Sequence, residues 1–411
     1  MNRAQKYLIE GSFCYHAVNV TNKSFKKLYK TIDHTISLAL IKKLYAKGEI
    51  QKNKVFVMTY DNAFTCNPKY IVEELLRRNH DLDIVWVIPA SMKAAVSIFP
   101  DQVRLVRRGT VEMFEEQASA RVWLDNALNC VWFGVPKKKG QYYINTWHGS
   151  MGIKRLDGDR LWRIRAGLCN KLTDYCITNS TFEENVFREE FWHDVKFKKY
   201  GHARNDLFMN EERAKAAREK VCRLMSIKPD RRILLYAPTF RDNKSNRYLN
   251  LNLEEVRLAV EKQYGGSWVV LSRLHFKDRS RLAVPNYSRD VLDAGKYPDM
   301  QELLAAADMG ITDYSSWAYD YILLKRPLFI YAPDLEDYAD GRGFYFPIES
   351  TPFPIATDID ELMGCIQDFD REAYLKGVDE FLKDKGCYET GAAARKTADL
   401  IEAITGTLTR D

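Results

Sequence analysis

The sequence lacks the cysteine patterns that a disulfide framework or a structural zinc site requires. Its eight cysteines stand singly along 411 residues, and no two of them form a CxxC pair. Scattered thiols of this kind are typical of proteins in a reducing compartment. We therefore expect a cytoplasmic protein without disulfides.

Long apolar runs are absent as well. No stretch approaches the ~18 apolar residues of a membrane-spanning helix, and the opening MNRAQKYLIEGSF lacks the apolar core and cleavage site of a signal peptide. The composition, 46% hydrophobic and 29% charged, is that of a globular protein. The length suits two domains, each with its own core.

Several nucleotide and metal motifs are missing too. The chain has no Walker loop, no GxGxxG and no HExxH, and none of the residue clusters described below contains a DxD carboxylate pair. We therefore expect no metal site and no cofactor beyond a donor substrate. The net charge of +6 is modest; it fits an anionic substrate or membrane surface and does not require nucleic acid.

Part of the positive charge lies near the start of the chain. Lysines there alternate with apolar residues: Lys23, Lys26, Lys27, Lys30, Lys42 and Lys43 with Phe25, Leu28, Leu38 and Leu40. This pattern fits a helix with a solvated basic face equally well as a basic amphipathic helix lying on an anionic membrane.

β-rich and helical segments alternate along the rest of the chain. Residues 55–60 and 84–88 read as strands with a helix at 70–78 between them, which predicts βαβ units and a mostly parallel sheet. Further strands are predicted at 122–124, 142–147 and 175–178. A second series, at 233–237, 268–271, 309–312 and 328–331, follows a charged helix at 211–225 and the Lys-Pro-Asp turn at 228–230. We predict an α/β fold in which two Rossmann-like domains face a cleft, the glycosyltransferase B-type fold. The expected units are a basic helical segment at 1–53, Rossmann-like domains at 54–227 and 228–370, and C-terminal helices at 371–411 that pack back on the first domain.

Ligands of α/β sheets gather at the carboxyl ends of strands, so residues after each predicted strand are the site candidates. The first cluster is NTWHGSMGIK, in which His148 follows a strand ending at Trp147. A histidine there can accept a proton near neutral pH, although a lone histidine is more often structural. The neighbouring Gly149, Ser150 and Lys154 favour a functional role.

Two further clusters supply cations after strands. In APTFRD, the guanidinium of Arg241 offers a planar set of hydrogen-bond donors to phosphate oxygens. The hydroxyl group of Thr239 can donate as well. In SRLH, strand alternation puts Arg273 and His275 on one side, where two such groups suit a diphosphate. An exposed loop arginine is the alternative reading for Arg241.

The last clusters are TDYSS and RGFYF. Ser315 and Ser316 would begin a helix, where free N–H groups favour anions, although simple helix capping is the alternative reading. Asp320 lies one turn further on. Arg342 stands in a loop that could serve as a lid or acceptor contact.

Taken together and in order, these segments resemble the CDP-glycerol glycerophosphotransferase family, which includes primases and polymerases of wall teichoic acid and related capsule enzymes. The matching segments, across roughly residues 140–350, are TWHGSMGIK, TNSTFEENVF, GHARND, YAPTFRD, SRLH, ITDYSSWAYD and RGFYF. Two departures occur: Ala203 replaces the proline common before Arg204, and Ser150-Met151 replaces a threonine-proline pair.

The resemblance implies a B-type fold with the acceptor in the N-terminal half and the CDP-polyol in the C-terminal half. It implies that His148 is the base on the acceptor hydroxyl and that His275, also a catalytic candidate, engages the donor phosphates. Gly149, Ser150, Thr239, Arg241, Arg273, Ser315, Ser316 and Asp320 would belong to the donor site. Lys154, Arg204, Asp313 and Arg342 are further candidates.

The resulting interpretation is a peripheral enzyme on the inner face of the cell membrane. It would transfer glycerol phosphate from CDP-glycerol to a hydroxyl of a lipid-linked or polymer acceptor, releasing CMP in one in-line displacement. The same reaction with CDP-ribitol, a nucleotide-sugar glycosyltransferase of the same fold, and a non-catalytic binding protein are the alternatives. The TDYSS segment, in place of a Glu-rich donor motif, disfavours the glycosyltransferase, and the presence of both His148 and His275 disfavours a mere binding protein.

Overall fold

The computed structural model describes most of the chain after its basic start. The described residues are 48–61, 63–78, 81–90, 98–131, 135–156, 160–241, 247–274 and 287–407. Two parallel β-sheets form the centres of two successive α/β units, which confirms the predicted fold class. The lysine-rich segment at residues 20–43 lies outside the described residues.

The first sheet contains seven strands within the described residues. They are β1 Gln51–Met58, β2 Asp83–Ile88, β3 Val103–Arg107, β4 Ala120–Asp125, β5 Tyr142–Asn145, β6 Tyr175–Thr178 and β7 Lys196–Lys199. The second sheet has six in the same part of the chain. They are β8 Arg232–Tyr236, β9 Trp268–Ser272, β10 Val291–Asp293, β11 Met309–Thr312, β12 Leu328–Tyr331 and β13 Ile355–Ala356.

Helices cover both faces of each sheet. Those of the first unit are α1 Cys66–Arg78, α2 Val111–Ser119, α3 Arg160–Leu172, α4 Thr181–Glu190 and α5 Glu211–Leu224. Those that follow are α6 Leu253–Tyr264, α7 Met300–Ala306, α8 Trp317–Tyr321, α9 Leu335–Arg342, α10 Ile359–Gln367, α11 Arg371–Asp384 and α12 Ala393–Thr405. Covered on both faces, the central strands are almost continuously apolar, as in WVVLS of β9.

Both sheets have the same winding. The strand orders are β3-β2-β1-β4-β5-β6-β7 and β10-β9-β8-β11-β12-β13, so each order reverses direction once, between β1 and β4 and between β8 and β11. In doubly wound sheets the crevice at such a reversal, outside the carboxyl ends of the strands, is where ligands bind.

The strand predictions were correct in the core and wrong at some ends. β6, β11 and β12 have the predicted bounds. β1 begins at Gln51, four residues before the predicted start, because the exposed polar residues at 51–53 extend the strand. β5 ends at Asn145 and not at Trp147, since Trp147 adopts a left-handed backbone with φ 49°. The short edge strands β3, β7, β10 and β13 were not predicted.

Buried ion pairs join the two units. Lys69 on α1 lies 2.5 Å from an Asp299 carboxylate oxygen and 3.2 Å from one of Glu302, and the Tyr70 hydroxyl donates to Asp299. Desolvation opposes the charge of Lys69, but the nearby carboxylates outweigh it and raise the pKa of its amine. Because each side needs the other to satisfy its charge, these pairs hold the two units in a fixed orientation.

The C-terminal helix α12 returns to the first unit and packs on α1 and β4. Its first N–H groups have no side-chain cap of their own. Instead, the buried Asp206 carboxylate accepts hydrogen bonds from Ala393 N at 3.0 Å and Ala394 N at 2.7 Å. A distant residue thus serves as the N-terminal cap that anchors the end of the chain.

Asp206→Ala is expected to lower the free energy of unfolding by about 2 kcal/mol, because two helix-terminal N–H groups lose their acceptor in a buried place. Asp399→Ala is the matched control. Asp399 lies on α12 itself and pairs with Arg78 of α1, but its side chain is 48% exposed. That control should lose less than about 1 kcal/mol. Urea unfolding measures both, and equal losses would show that Asp206 does not anchor α12.

Candidate active site

A cavity of about 640 Å³ lies between the two units at the carboxyl ends of their central strands. Both sides contribute to its wall. Its lining includes Tyr60, Cys66, His148 and Arg204 from the first unit and Arg273, Ser315, Ser316 and Asp320 from the second. The strand reversals of both sheets therefore open into one shared space.

His148 reaches this cavity from the loop after β5, and its ring is held in one orientation. The Nδ1 atom lies 2.6 Å from the backbone carbonyl oxygen of Asn126. A carbonyl oxygen only accepts hydrogen bonds, so Nδ1 must carry the proton and donate it. The other ring nitrogen, Nε2, is then left with a free lone pair, which is the state that a general base needs.

The backbone and aromatic neighbours of His148 fix its position. The left-handed conformation of Trp147 turns the chain out of the sheet directly before His148. The Asn67 side chain donates to the carbonyl oxygens of Thr146 and Trp147 at 3.0 and 3.2 Å. The ring of Tyr60 stacks on the His148 ring, with their centroids 4.9 Å apart.

The surroundings keep His148 neutral. Desolvation lowers the pKa of its imidazole below the ordinary value, and the nearby Arg204 cation acts in the same direction. The lone pair on Nε2 is therefore available at neutral pH without a prior loss of a proton.

Arg204, only a further candidate from the sequence, connects His148 to the second unit. Its Nη1 donates to the backbone carbonyl of His148 at 2.6 Å, and its Nη2 lies 2.9 Å from an oxygen of Asp320. Both side chains are almost fully buried. Burial opposes the charge of Arg204, but the Asp320 carboxylate outweighs it and raises the pKa of the guanidinium. The Ala203 that replaces the family's proline does not prevent this contact.

Asp320 is consequently a structural centre of the cleft. Besides Arg204, it accepts hydrogen bonds from Asn205 at 3.0 Å and from Gln301 at 3.1 Å. Its carboxylate is used by partners from both units.

Arg273 is a cation on the cavity wall that forms no ion pair within the described residues. Its Nη1 donates to the backbone oxygens of Tyr297 and Ala294 at 2.5 and 3.3 Å, and among the described residues no carboxylate lies within ion-pair distance of it. Burial lowers the pKa of its guanidinium. A half-buried, unneutralised arginine in a cavity favours an anionic ligand.

Ser315 and Ser316 line the cavity beside it. Ser316 precedes α8, yet its side chain makes no capping hydrogen bond. Neither hydroxyl has a hydrogen-bond partner in the described part of the chain, so simple helix capping does not account for these side chains.

Arg241 does not offer its donors to the cleft as expected. The side chain is 1% exposed, and its guanidinium is bound to Asp334 through Nε and Nη2 and to Asp313 through Nη1. Asp313 also accepts from the Thr239 backbone N–H, at 2.9 Å. Two carboxylates thus neutralise the guanidinium of Arg241. The side chain fixes the loop after β8 and does not face the cavity. Thr239 Oγ1, by contrast, is buried and has no partner among the described residues.

The loop after His148 forms part of a second, smaller cavity of about 190 Å³. Gly149, Ser150 and Lys154 line it, and it shares His148 and Ser316 with the larger one. Gly152 passes so close to the Ser150 backbone that an added Cβ would lie 3.1 Å from its carbonyl oxygen. The glycines of the motif therefore permit a tight loop, and Ser150 faces the smaller cavity rather than the larger one.

Two site candidates fall beyond the description. His275 lies outside the described residues, and of Arg342 only the backbone is described, at the end of α9.

The residues that the sequence reasoning missed include Tyr60, Cys66 and Asn67, which contact His148, Arg204 and the carbonyl oxygen of Trp147. All follow β1, one of the two strands that flank the strand reversal of the first sheet. The polar Tyr60-Asp61 pair close to the end of β1 was the sequence signal that could have indicated site residues here. Cys66 accepts from Arg204 through its sulfur at 3.2 Å.

DxD segments do occur elsewhere in the chain, at 81–83, 157–159, 358–360 and 368–370, and Asp370 of the last one caps α11. Asp83 pairs with Arg104 on an outer strand, and Asp358 caps α10. The triplet at 157–159 lies outside the described residues. Among the described residues, no group of three potential metal-ligating side chains is found.

Comparisons with known proteins agree with this architecture. Residues 41–403 match the family model of CDP-glycerol:poly(glycerophosphate) glycerophosphotransferases. A teichoic acid poly(glycerol phosphate) polymerase of Staphylococcus epidermidis is 28% identical over 93% of the chain, which spans only 56% of that relative's length. A teichoic acid ribitol-phosphate primase of Bacillus spizizenii is 29% identical over 70% of the chain and 76% of the relative.

A solved structure of the wall teichoic acid polymerase TagF superimposes with a TM-score of 0.78 and 26% sequence identity. The superposition covers 94% of this chain and 99% of that one. The fold and the family predicted from the sequence are thereby confirmed. Because the family model covers most of the chain, the protein belongs to the CDP-glycerol:poly(glycerophosphate) glycerophosphotransferase family.

Proposed function

We propose that the protein transfers glycerol phosphate from CDP-glycerol to a hydroxyl group of a polyol-phosphate or lipid-linked acceptor and releases CMP. One observation carries the proposal: a neutral histidine with a free Nε2 and an arginine held only by backbone carbonyls line the same cavity between two Rossmann-like units. A base for a hydroxyl and a cation for a diphosphate are the two groups that such a transfer requires.

The reaction is one displacement at the phosphorus atom that bears glycerol. The acceptor hydroxyl oxygen attacks that phosphorus as His148 Nε2 takes its proton, and the phosphorus–oxygen bond to CMP breaks. Arg273 faces the charge that develops on the phosphoryl oxygens, and the hydroxyls of Ser315 and Ser316 can donate to the same oxygens. Arg204 and Asp320 hold His148 at a fixed position relative to the second unit, where the donor would bind.

Ribitol phosphate from CDP-ribitol is the second candidate for the transferred group. The likeness to the ribitol-phosphate primase favours it, whereas the family model and the poly(glycerol phosphate) polymerase favour glycerol. Assaying both donors with the same acceptor decides between them.

Association with a membrane surface is part of the proposal, because a lipid-linked acceptor would require it. No helix of the described residues is long and apolar enough to cross a membrane. However, α3 exposes an apolar stripe, with Leu161, Ile164 and Leu168 being 52%, 53% and 40% exposed. These residues recur at helical spacing, and exposed Arg160 and Lys171 flank them. Apolar side chains bordered by cations suit an anionic lipid surface.

Substituting His148 with glutamine is expected to lower kcat at least about 100-fold without unfolding the protein, since the general base is lost. His193→Gln is the control, because His193 is an exposed histidine of the same unit. The wild-type rate should fall as pH drops through the lowered pKa of His148, so most activity remains at pH 6.5. CMP release across pH 5 to 8 measures this, and a folded His148 variant of normal rate would refute the assignment.

Arg273→Gln is expected to weaken CDP-glycerol binding about tenfold or more, because the diphosphate loses a charge-assisted hydrogen-bond donor. Cytidine, which has no phosphate, should bind wild type and variant equally. Calorimetric titration with both ligands separates loss of the phosphate contact from collapse of the loop. An equal loss for cytidine would contradict a phosphate-specific role.

Replacing Leu161, Ile164 and Leu168 together by serine is expected to reduce co-sedimentation with phosphatidylglycerol vesicles. Binding of the wild type should weaken with salt, because its electrostatic part is screened over ~8–10 Å. Leu258→Ser is the control, since Leu258 is 53% exposed on α6 of the other unit. Unchanged sedimentation of the triple variant would exclude α3 as the contact surface.

A further inference from the structure

The smaller cavity lies on the first unit, on the side of α4 and the loop after β5. It shares His148 and Ser316 with the larger cavity between the units. A ligand in the smaller cavity and a ligand in the larger one would therefore meet at the imidazole that we assign as the base.

Glu183 lines the smaller cavity with one carboxylate oxygen unused. The side chain is 3% exposed. Its Oε2 accepts the Asn179 backbone N–H at 2.8 Å and lies 3.1 Å from Nε2 of His202. These contacts at the start of α4 account for Oε2 only. Among the described residues, Oε1 has no hydrogen-bond partner.

The nearest charged neighbour of the Glu183 carboxylate is the buried side chain of His202, 3.1 Å away. Burial opposes a charge on His202, but the Glu183 carboxylate outweighs it and raises the pKa of this histidine. A carboxylate oxygen that is buried without a donor is costly to folding, which makes it a natural acceptor for a ligand's hydroxyl.

Ser150 supplies a matching donor in the same cavity. Its oxygen accepts a hydrogen bond from the Asn179 side chain at 2.5 Å. The hydroxyl proton of Ser150 has no acceptor in the described part of the chain, so it is free to donate. Glu183 Oε1 and the Ser150 hydroxyl thus offer one acceptor and one donor, the pair that a neutral hydroxyl group satisfies in full.

We propose that the smaller cavity binds the terminal polyol unit of the acceptor, with one of its hydroxyls held between Glu183 Oε1 and the Ser150 hydroxyl. This inference rests on the proposed function. A glycerol unit esterified at one end keeps two adjacent hydroxyls, so that one is held by this pair while its neighbour is presented to His148 Nε2. The neighbour loses its proton to His148 and forms the new bond to phosphorus.

The test compares two synthetic phosphodiester acceptors, one ending in glycerol and one ending in 1,3-propanediol, which lacks the middle hydroxyl. The wild type should prefer the glycerol end in kcat/KM about tenfold or more, because the propanediol end leaves the carboxylate unpaired. Glu183→Gln should bring this ratio close to one. The Asn179 N–H needs an oxygen opposite it, so the amide NH₂ would stand where Oε1 stood.

In this variant the KM for the glycerol-ended acceptor should rise while the KM for CDP-glycerol stays unchanged. Glu189→Gln is the matched control, since Glu189 is an exposed residue of the same helix, and it should retain the preference. Ser150→Ala should also lower the kcat/KM preference for the glycerol-ended acceptor. If Glu183→Gln does not fold, this variant tests the acceptor site in its place.

A wild type without preference, or folded variants that keep it, would overturn the acceptor site and leave the transfer reaction standing. Such a result would mean that ordered water alone satisfies these atoms. Absence of CMP release from the wild type with either acceptor would overturn the proposed function and this inference together.

Discussion

The buried contact between Arg204 and Asp320 is the constraint on which the rest of the site depends. Arg204 comes from the first unit and Asp320 from the second, and the same guanidinium donates to the backbone of His148. One side chain therefore contacts both the backbone of His148 and the second unit. Breaking a buried pair of this kind typically costs about 3–5 kcal/mol, because the remaining charge is left without a partner.

The three arginines near the cleft show how partners decide function. Arg204 and Arg241 are neutralised by carboxylates from distant parts of the chain, and both serve to hold loops. Arg273 is held only by backbone carbonyls, which position its guanidinium without cancelling its charge. Of the three, it alone retains a charge for an anionic ligand, since an arginine that is already bidentate to a carboxylate has little left to offer a phosphate.

Much of the fold could be predicted from the sequence, because buried parallel strands such as ILLY and WVVL are continuous apolar runs between helical segments. The site was predicted as far as local order allows: His148, Arg273 and the two serines follow strands and lie on one cavity. The neutralisation of both Arg204 and Arg241 by carboxylates was not predictable in this way. Asp334, which neutralises Arg241, is 93 residues away, and Asp320, which holds Arg204, is 116 residues away.

The edge strands and the left-handed Trp147 were missed for a different reason. Strands such as KFKK at β7 are polar and partly exposed, so their pairing comes from the neighbouring strand and not from their own pattern. Trp147 is bulky and disfavours a positive φ by itself. It is held there by Asn67, which binds its carbonyl oxygen, and by the packing of its ring among Phe187, Phe191 and Trp192.

The proposed transfer requires that His148 and Arg273, which line one cavity, both reach the phosphorus atom that bears glycerol. A structure of the protein with CDP-glycerol bound tests this most directly. The account predicts the diphosphate in the larger cavity, with a phosphate oxygen about 3 Å from the Arg273 guanidinium and the glycerol-bearing phosphorus facing His148 Nε2. A diphosphate bound away from Arg273, or with its phosphorus turned from His148, would contradict it.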